Sequence, residues 1–195
     1  MAGPKGYKRE ELLDRAIELF RRQGYAATST AELVDTLAVN RKSMYSEFGS
    51  KQDLFEAALE RYSAVNLSRV LAPIEAPGAG LAEIRAAFQS YAKSSEGAFA
   101  GLGCLMANTA AERAALDPGS AKYVDAYLQR VRSAFRKALE NAKEAQHLGP
   151  DADVDGLADL FTMSVVGISV LVRAKADPAH VHAAARVATS LLPER

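Results

Sequence analysis

The stretch Ser29–Lys51, STAELVDTLAVNRKSMYSEFGSK, constrains this chain more than any other. Its spacing predicts two short helices joined by a tight corner, with a third helix beginning at its end. Ser29 is an N-cap residue with Glu32 three positions later, the pattern of a capping box. Leu33, Val34 and Leu37 then give the first helix one apolar face. Ala38 and Val39 make the corner, where a small residue lets two helices approach closely. Asn40 caps the second helix, and Met44 and Phe48, four apart, share its inward face. Arg41, Lys42 and Ser43 fall on its first turn, away from that face. Ser50 opens the third helix and Asp53 closes another capping box.

Such a helix pair has a physical use. In a helix-turn-helix the second helix enters the DNA major groove, and its N-terminal residues meet the base edges. Arg and Lys pair with guanine edges or with phosphates, and here that first turn is Arg41-Lys42-Ser43. An ordinary helical corner with solvated charges has the same local pattern, so the spacing alone leaves both readings open.

The stretch resembles the N-terminal domain of TetR family transcriptional regulators of the TetR/AcrR type. Its Leu37–Lys51 segment parallels the family habit of small-Gly-Val-Ser-x-x-x-Leu-Tyr-x-His-Phe-x-Ser-Lys, and the likeness extends upstream to Ala16, Ile17, Phe20, Gly24, Tyr25 and Thr28. The resemblance implies that Arg41, Lys42 and Ser43 read bases, and that Tyr45 and Lys51 hold phosphates. Ser29 and Thr30, at the start of the first helix, join them as DNA-facing candidates. Two positions depart. Ala38 stands where the family has a turn glycine, tolerable if the corner is not left-handed. Glu47 stands where the family has a phosphate-touching histidine, and a carboxylate would repel phosphate, so that contact is not carried over.

Composition bounds the rest. A chain of 195 residues with 49% hydrophobic content supports one or two compact domains with a real core. Its formal charge is zero, which argues against a general polyanion binder. Residues 1–51 hold nine Lys/Arg against seven Asp/Glu, a local excess of +2. The single cysteine, Cys104, excludes an internal disulfide framework and suits a reducing cytoplasm. No apolar run reads as a membrane span, and no signal-peptide pattern precedes Lys5. The first six residues read as a tail, in which Lys5, followed by Lys8 and Arg9, is a possible backbone-touching arm.

Every other segment reads as helix. The first runs from about Lys8 to Gln23, with Leu13, Ala16, Ile17 and Phe20 inward and Gly24 closing it. The helix from Ser50 reaches about Val70, and Pro73 with Pro77-Gly78-Ala79-Gly80 marks the clearest break. A stripe of Leu81, Ile84, Phe88 and Tyr91 follows. A helix opening at Gly103-Cys104-Leu105 continues to about Leu116, and its Asn108 and Glu112 resemble a helix of one common TetR-family subgroup. Asp117-Pro118 starts a long helix that Gly149-Pro150 stops; Asp153 and Asp177-Pro178 start the last two. The fold class is therefore all-α, with about nine helices. A three-helix DNA-binding domain with its helix-turn-helix is expected over residues 7–67, and a helical ligand-binding and dimerisation domain over residues 80–195.

In the family the two C-terminal helices pair with their copies as a four-helix bundle, which makes Leu157, Leu160, Val165, Gly167, Ile168, Leu171, Val181, Ala184, Ala188 and Leu191 the interface candidates of a homodimer. A buried hairpin within one subunit is the alternative. Phe88, Tyr91, Met106, Tyr123, Tyr127 and Phe161 line a candidate pocket for an unknown small, apolar effector, with Asn108 as its polar handle. These residues equally suit a plain core.

Catalysis and metal chemistry find little support. His180 and His182 are two apart and point to different sides of a helix, and no Cys or carboxylate spacing suggests a metal site. There is no glycine-rich phosphate loop, and no cofactor is implied. Cys104 begins a helix, which favours a reactive thiol, yet a small buried residue fits there too. The expectation is a cytoplasmic, homodimeric, ligand-responsive repressor of a palindromic double-stranded operator. A redox- or electrophile-sensing regulator through Cys104 and an all-helical enzyme are the alternatives.

Overall fold

Short polar caps set the N-terminal architecture, because each satisfies backbone N–H groups that a helix leaves orphaned. The computed structural model describes residues 7–112 and 118–193, so Lys5, Leu116 and Asp117 lie outside the described residues. Helix α1 (Arg9–Gln23) ends where Gly24 takes φ 87° and returns its N–H to the Phe20 carbonyl. Helix α2 (Thr30–Leu37) starts in the Ser29/Glu32 capping box: Glu32 N–H donates to Ser29 Oγ at 3.2 Å and Ser29 N–H to Glu32 Oε2 at 2.8 Å. Helix α3 (Arg41–Phe48) is capped by Asn40, whose Oδ1 accepts from Ser43 N–H at 2.8 Å. Helix α4 (Lys51–Tyr62) opens on the Ser50/Asp53 box. Leu12, Leu13, Ala16, Ile17 and Phe20 of α1 bury against Leu33, Leu37, Met44 and Leu54. Phe55 packs edge-on to Phe20 at 4.9 Å and lies 4.5 Å from Tyr25, so Tyr25 closes the corner.

From α4 the helical path continues through a π-helical turn (Ser63–Leu67) into α5 (Ser68–Glu75). It passes Pro73, where sequence reading put a break, and stops at Ala76, which is extended. The proline falls in the last turn of α5, so it forfeits one ladder bond without ending the helix at once.

Helices α6 (Leu81–Lys93), α7 (Leu105–Ala111), α8 (Pro118–Glu144), α9 (Val154–Arg173) and α10 (Pro178–Ser190) form the body. Two of them end earlier than their sequences suggest: α7 at Ala111, and α8 at Glu144 rather than at Gly149. Helix α8 packs along α9, and α10 along α6. Between them Phe88, Phe135 and Phe161 meet pairwise at 5.3–5.9 Å. With the α4–π–α5 path taken as one, the described residues hold nine helices and a single 3₁₀ turn, Gly97–Phe99, and no strand. This is the expected all-α class.

Helix α9 is long and apolar enough to cross a membrane, with mean hydropathy 1.6, which the sequence reading passed over. Its buried side chains pack in the protomer core against α8, and Asp155 and Asp159 in its N-terminal turns each pair with Arg132 of α8.

Candidate functional site

The exposed surface of α3 is the centre of the site. Met44 and Phe48 anchor the helix in the core, which turns Arg41, Lys42, Tyr45 and Ser46 to solvent and leaves Ser43 half-buried. Arg41 lies 5.7 Å over the Tyr45 ring. Arg41 and Thr30 beside the Tyr45 phenol lower its pKa. The α2 N-terminus and one flank of α3 thus carry Ser29, Thr30, Arg41 and Tyr45 together.

Two sequence expectations change. Ala38 sits at φ 55°, ψ 39°, so the corner is left-handed after all and an alanine bears the strain of it. Lys51 does not point outward: its ammonium donates to the Tyr25 carbonyl at 2.7 Å and rests 4.2 Å from the Tyr25 ring centre. Burial lowers its pKa, against the pull of Glu112 and Glu32.

In the body, Phe88 and Phe161 stack with Phe135 as core filling, and Met106 is buried beside them in the same core. Tyr123 is half-buried, with Lys122 at 5.0 Å over its ring. Tyr91 and Tyr127 converge instead on Cys104, where Tyr62 from α4 joins them. Burial pushes all three phenols up, and the neighbouring thiol adds to the shift. Sequence reasoning missed Tyr62, because nothing local links it to residue 104. Asn108, read as a ligand handle, donates its amide nitrogen to the Leu102 carbonyl at 2.9 Å and the Arg21 carbonyl at 3.2 Å, while its buried Oδ1 has no hydrogen-bond partner among the described residues. It ties α7 to α1.

That tie is one of several. Arg21 Nε donates to the Gly103 carbonyl at 3.0 Å, and Ala26 N–H donates to Glu112 Oε2 at 3.2 Å. Glu112 also pairs with Arg173 of α9 at 3.6 Å. Gly103 has φ 63°, and a Cβ there would stand 2.8 Å from the Ser169 carbonyl, so glycine is required where α7 meets α9.

The outer faces of α9 and α10 are apolar. Val165, Ile168 and Val181 turn into the protomer's own core, a correction to their reading as interface. Gly167, Leu171, Ala184 and Leu191 are exposed, while Leu157, Leu160 and Ala188 are half-buried. Met163, Val170 and Val187 complete the exposed stripe, with Met163 at 65% and Val187 at 69%. Val187 is among the apolar residues that the last helix offers by sequence, whereas Met163 and Val170 carry no such sequence signal.

The chain matches the model for bacterial regulatory proteins of the tetR family over residues 12–58, and that for the tetracyclin repressor-like C-terminal domain over residues 80–188. The chain belongs to the TetR family. It is 32% identical over 167 residues to the HTH-type transcriptional regulator YezE of Bacillus subtilis, covering 85% of this chain and 86% of that one. It is 28% identical over 198 residues to the HTH-type transcriptional repressor ComR of Escherichia coli, covering 98% and 91%. Among solved structures, the TetR family regulator CifR, as a cysteine mutant complexed with 26 bp double-strand operator DNA, superposes with TM-score 0.82 at 21% identity over 97% of this chain and 100% of that one. Reduced E. coli NemR superposes with TM-score 0.80 at 23% identity over 95% and 97%. This TetR-family chain is accordingly a DNA-binding transcriptional regulator and not an enzyme.

Proposed function

We propose that this protein is a cytoplasmic, homodimeric repressor whose two α3 helices read the half-sites of a palindromic operator, and which a small apolar effector releases. The observation that carries the reading is the exposed Arg41–Lys42 turn on an α3 anchored by Met44 and Phe48. ComR, a relative across nearly the whole chain, is a repressor. Residues 7–67 act as the DNA-binding part and residues 80–195 as the effector-binding and pairing part. Two heads must sit about one helical turn of DNA apart, roughly 34–36 Å, to meet both half-sites. An effector acts by binding a differently spaced dimer more tightly than the DNA-competent one. The ties from α7 to Arg21 and Ala26 give it a mechanical route to the head. The apolar, tyrosine-bearing interior between α6 and α8 suits a hydrophobic compound whose orientation a phenol fixes.

Binding of the purified protein to DNA flanking its own coding sequence tests this. Arg41→Ala is expected to lose about 1–3 kcal/mol on operator and far less on scrambled DNA. Lys51→Ala should weaken both alike and flatten the salt dependence, because Lys51 leaves the Tyr25 carbonyl for a phosphate on binding. Equal loss on both DNAs for Arg41→Ala moves Arg41 to the backbone contacts. Hydrophobic compounds should raise Tm and release operator; release by highly charged metabolites alone overturns the effector assignment.

A second reading takes Cys104 as a sensor thiol, because the buried phenols of Tyr62, Tyr91 and Tyr127 gather around it and Tyr62 belongs to α4 of the head. Cys104→Ser decides. Unchanged operator binding and an unchanged response to peroxide leave Cys104 a packing residue; loss of a peroxide-triggered release makes the protein a redox sensor.

A further inference from the structure

Helix α3 has two flanks, and the Arg41–Tyr45–Thr30 group lies on one of them. With successive residues about 100° apart around a helix, Lys42 and Ser46 form the outer pole, Arg41 and Tyr45 one flank, and Ser43 and Glu47 the other. The first flank is joined by Thr30 of α2. The second faces the opening turns of α1. A groove of about 470 Å³, lined by Tyr7, Glu11, Arg15, Asn40 and Ser43 among others, runs between them. Farther along α3, Arg9 bridges to Glu47: its Nε lies 3.6 Å from Glu47 Oε1, and its guanidinium lies 5.2 Å from the Phe48 ring centre.

The two partners differ sharply in exposure. The Glu47 side chain is 9% exposed and the Arg9 side chain 52%. Glu47 is too enclosed to meet a strand of DNA, so its carboxylate acts inward, on Arg9. A guanidinium carries five N–H donors in a fork, and Glu47 meets the Nε edge. The remainder of the fork projects beside the second flank of α3. A long cation held between a carboxylate and an aromatic face has already lost much of its rotamer freedom, so less is lost when it meets a ligand.

We propose that Arg9 is a backbone contact to the operator, on the strand opposite the one that Thr30 and Tyr45 meet, and that Glu47 is its positioning residue. The inference rests on the reading of α3 as the recognition helix. A B-DNA major groove is about 12 Å wide and a helix with its side chains about 10–12 Å across. A helix seated there therefore meets both phosphate walls. Arg9 supplies the cation for the second wall, and Glu47, instead of repelling phosphate, orients the group that binds it.

Operator titration at several salt concentrations, with phosphate-ethylation interference, tests the contact. For Arg9→Ala the slope of log K against log salt should flatten by about 0.9 per head, or about 1.8 for the dimer on a full operator. Affinity for operator and scrambled DNA should fall by the same factor, and interference should vanish at one phosphate in each half-site, the two lying on opposite strands. A slope and an interference map identical to wild type overturn the assignment. The hold is read without DNA. The Arg9 Nε–H order parameter should be higher in the wild type than in Glu47→Gln, because the ion pair restrains the guanidinium; equal order parameters in both overturn the positioning role. If the wild type itself shows no salt-dependent binding to any DNA, the recognition-helix reading fails first and takes this inference with it.

Discussion

Ala38 turns the corner between α2 and α3 in a conformation that costs a non-glycine residue about 1–2 kcal/mol. The turn closes as it would with glycine: Ala38 N–H returns to the Asp35 carbonyl at 3.2 Å and Val39 N–H to the Val34 carbonyl at 3.4 Å. The Ala38 side chain is exposed, so it offers no packing in exchange. Ala38→Gly should therefore stabilise the protein. Freeing the unfolded chain returns about 0.4–1 kcal/mol, which leaves a net gain of roughly 0.5–1 kcal/mol and a rise in Tm of about 1–4 °C. Calorimetry on the two proteins measures it, and an unchanged or lower Tm refutes the strain. The same residue shows where single positions were legible. Ser29, Asn40 and Ser50 announced themselves because a cap is a bond between near neighbours. A left-handed alanine announces nothing, since its conformation is imposed by the packing of the two helices it joins.

Helix boundaries follow the same division. Asp153 and Asp177 start α9 and α10 through bonds to N–H groups two and three residues on, and both starts were readable. The end of α8 was not: Gln146 takes φ 62° there, and His147 and Leu148 return their N–H groups to the Ala142 carbonyl at 2.8 and 3.2 Å. A glutamine carries no turn signal, so reading ran on to Gly149. The role of α7 was equally hidden, because its partners lie more than eighty positions away in sequence. This seven-residue helix is held at its N-terminal side by Arg21 on Gly103 and at its C-terminal side by Glu112 on Ala26. Glu112→Ala should release the second hold. Its hydrogen bond and its half-buried ion pair with Arg173 are together worth about 1 kcal/mol. The sharper readout is local. Amide exchange at Ala26 should accelerate in the variant while exchange in the α9 core stays slow. Unaltered exchange at Ala26 would show that the corner does not depend on α7.

At the scale of the whole molecule, the apolar faces of α9 and α10 decide how two heads are set apart. Periodicity showed that both helices were apolar on more than one side, yet it had no means of dividing an inner side from an outer one. That is why Val165, Ile168 and Val181 were grouped with Gly167 and Leu191. The three-dimensional fold divides them: the inner set fills the protomer, and Met163, Gly167, Val170, Leu171, Ala184, Val187 and Leu191 remain outside as one stripe. Exposed apolar area of this kind marks an interaction surface, and a second copy is the partner that the proposed repressor needs. Gly167 isolates the question. A Cβ added there meets nothing within 4 Å, so the protomer has room for a larger side chain. In an exposed helix interior, leucine in place of glycine should even gain roughly 0.5–1 kcal/mol. A paired helix from a second copy would instead be held off by the added bulk. Gly167→Leu is therefore expected to melt no lower than the wild-type monomer, to sediment as a monomer at micromolar concentration, and to bind a full operator no tighter per head than a single half-site. An intact dimer with normal operator affinity would move the interface off this stripe, and with it the spacing of the two α3 helices on DNA.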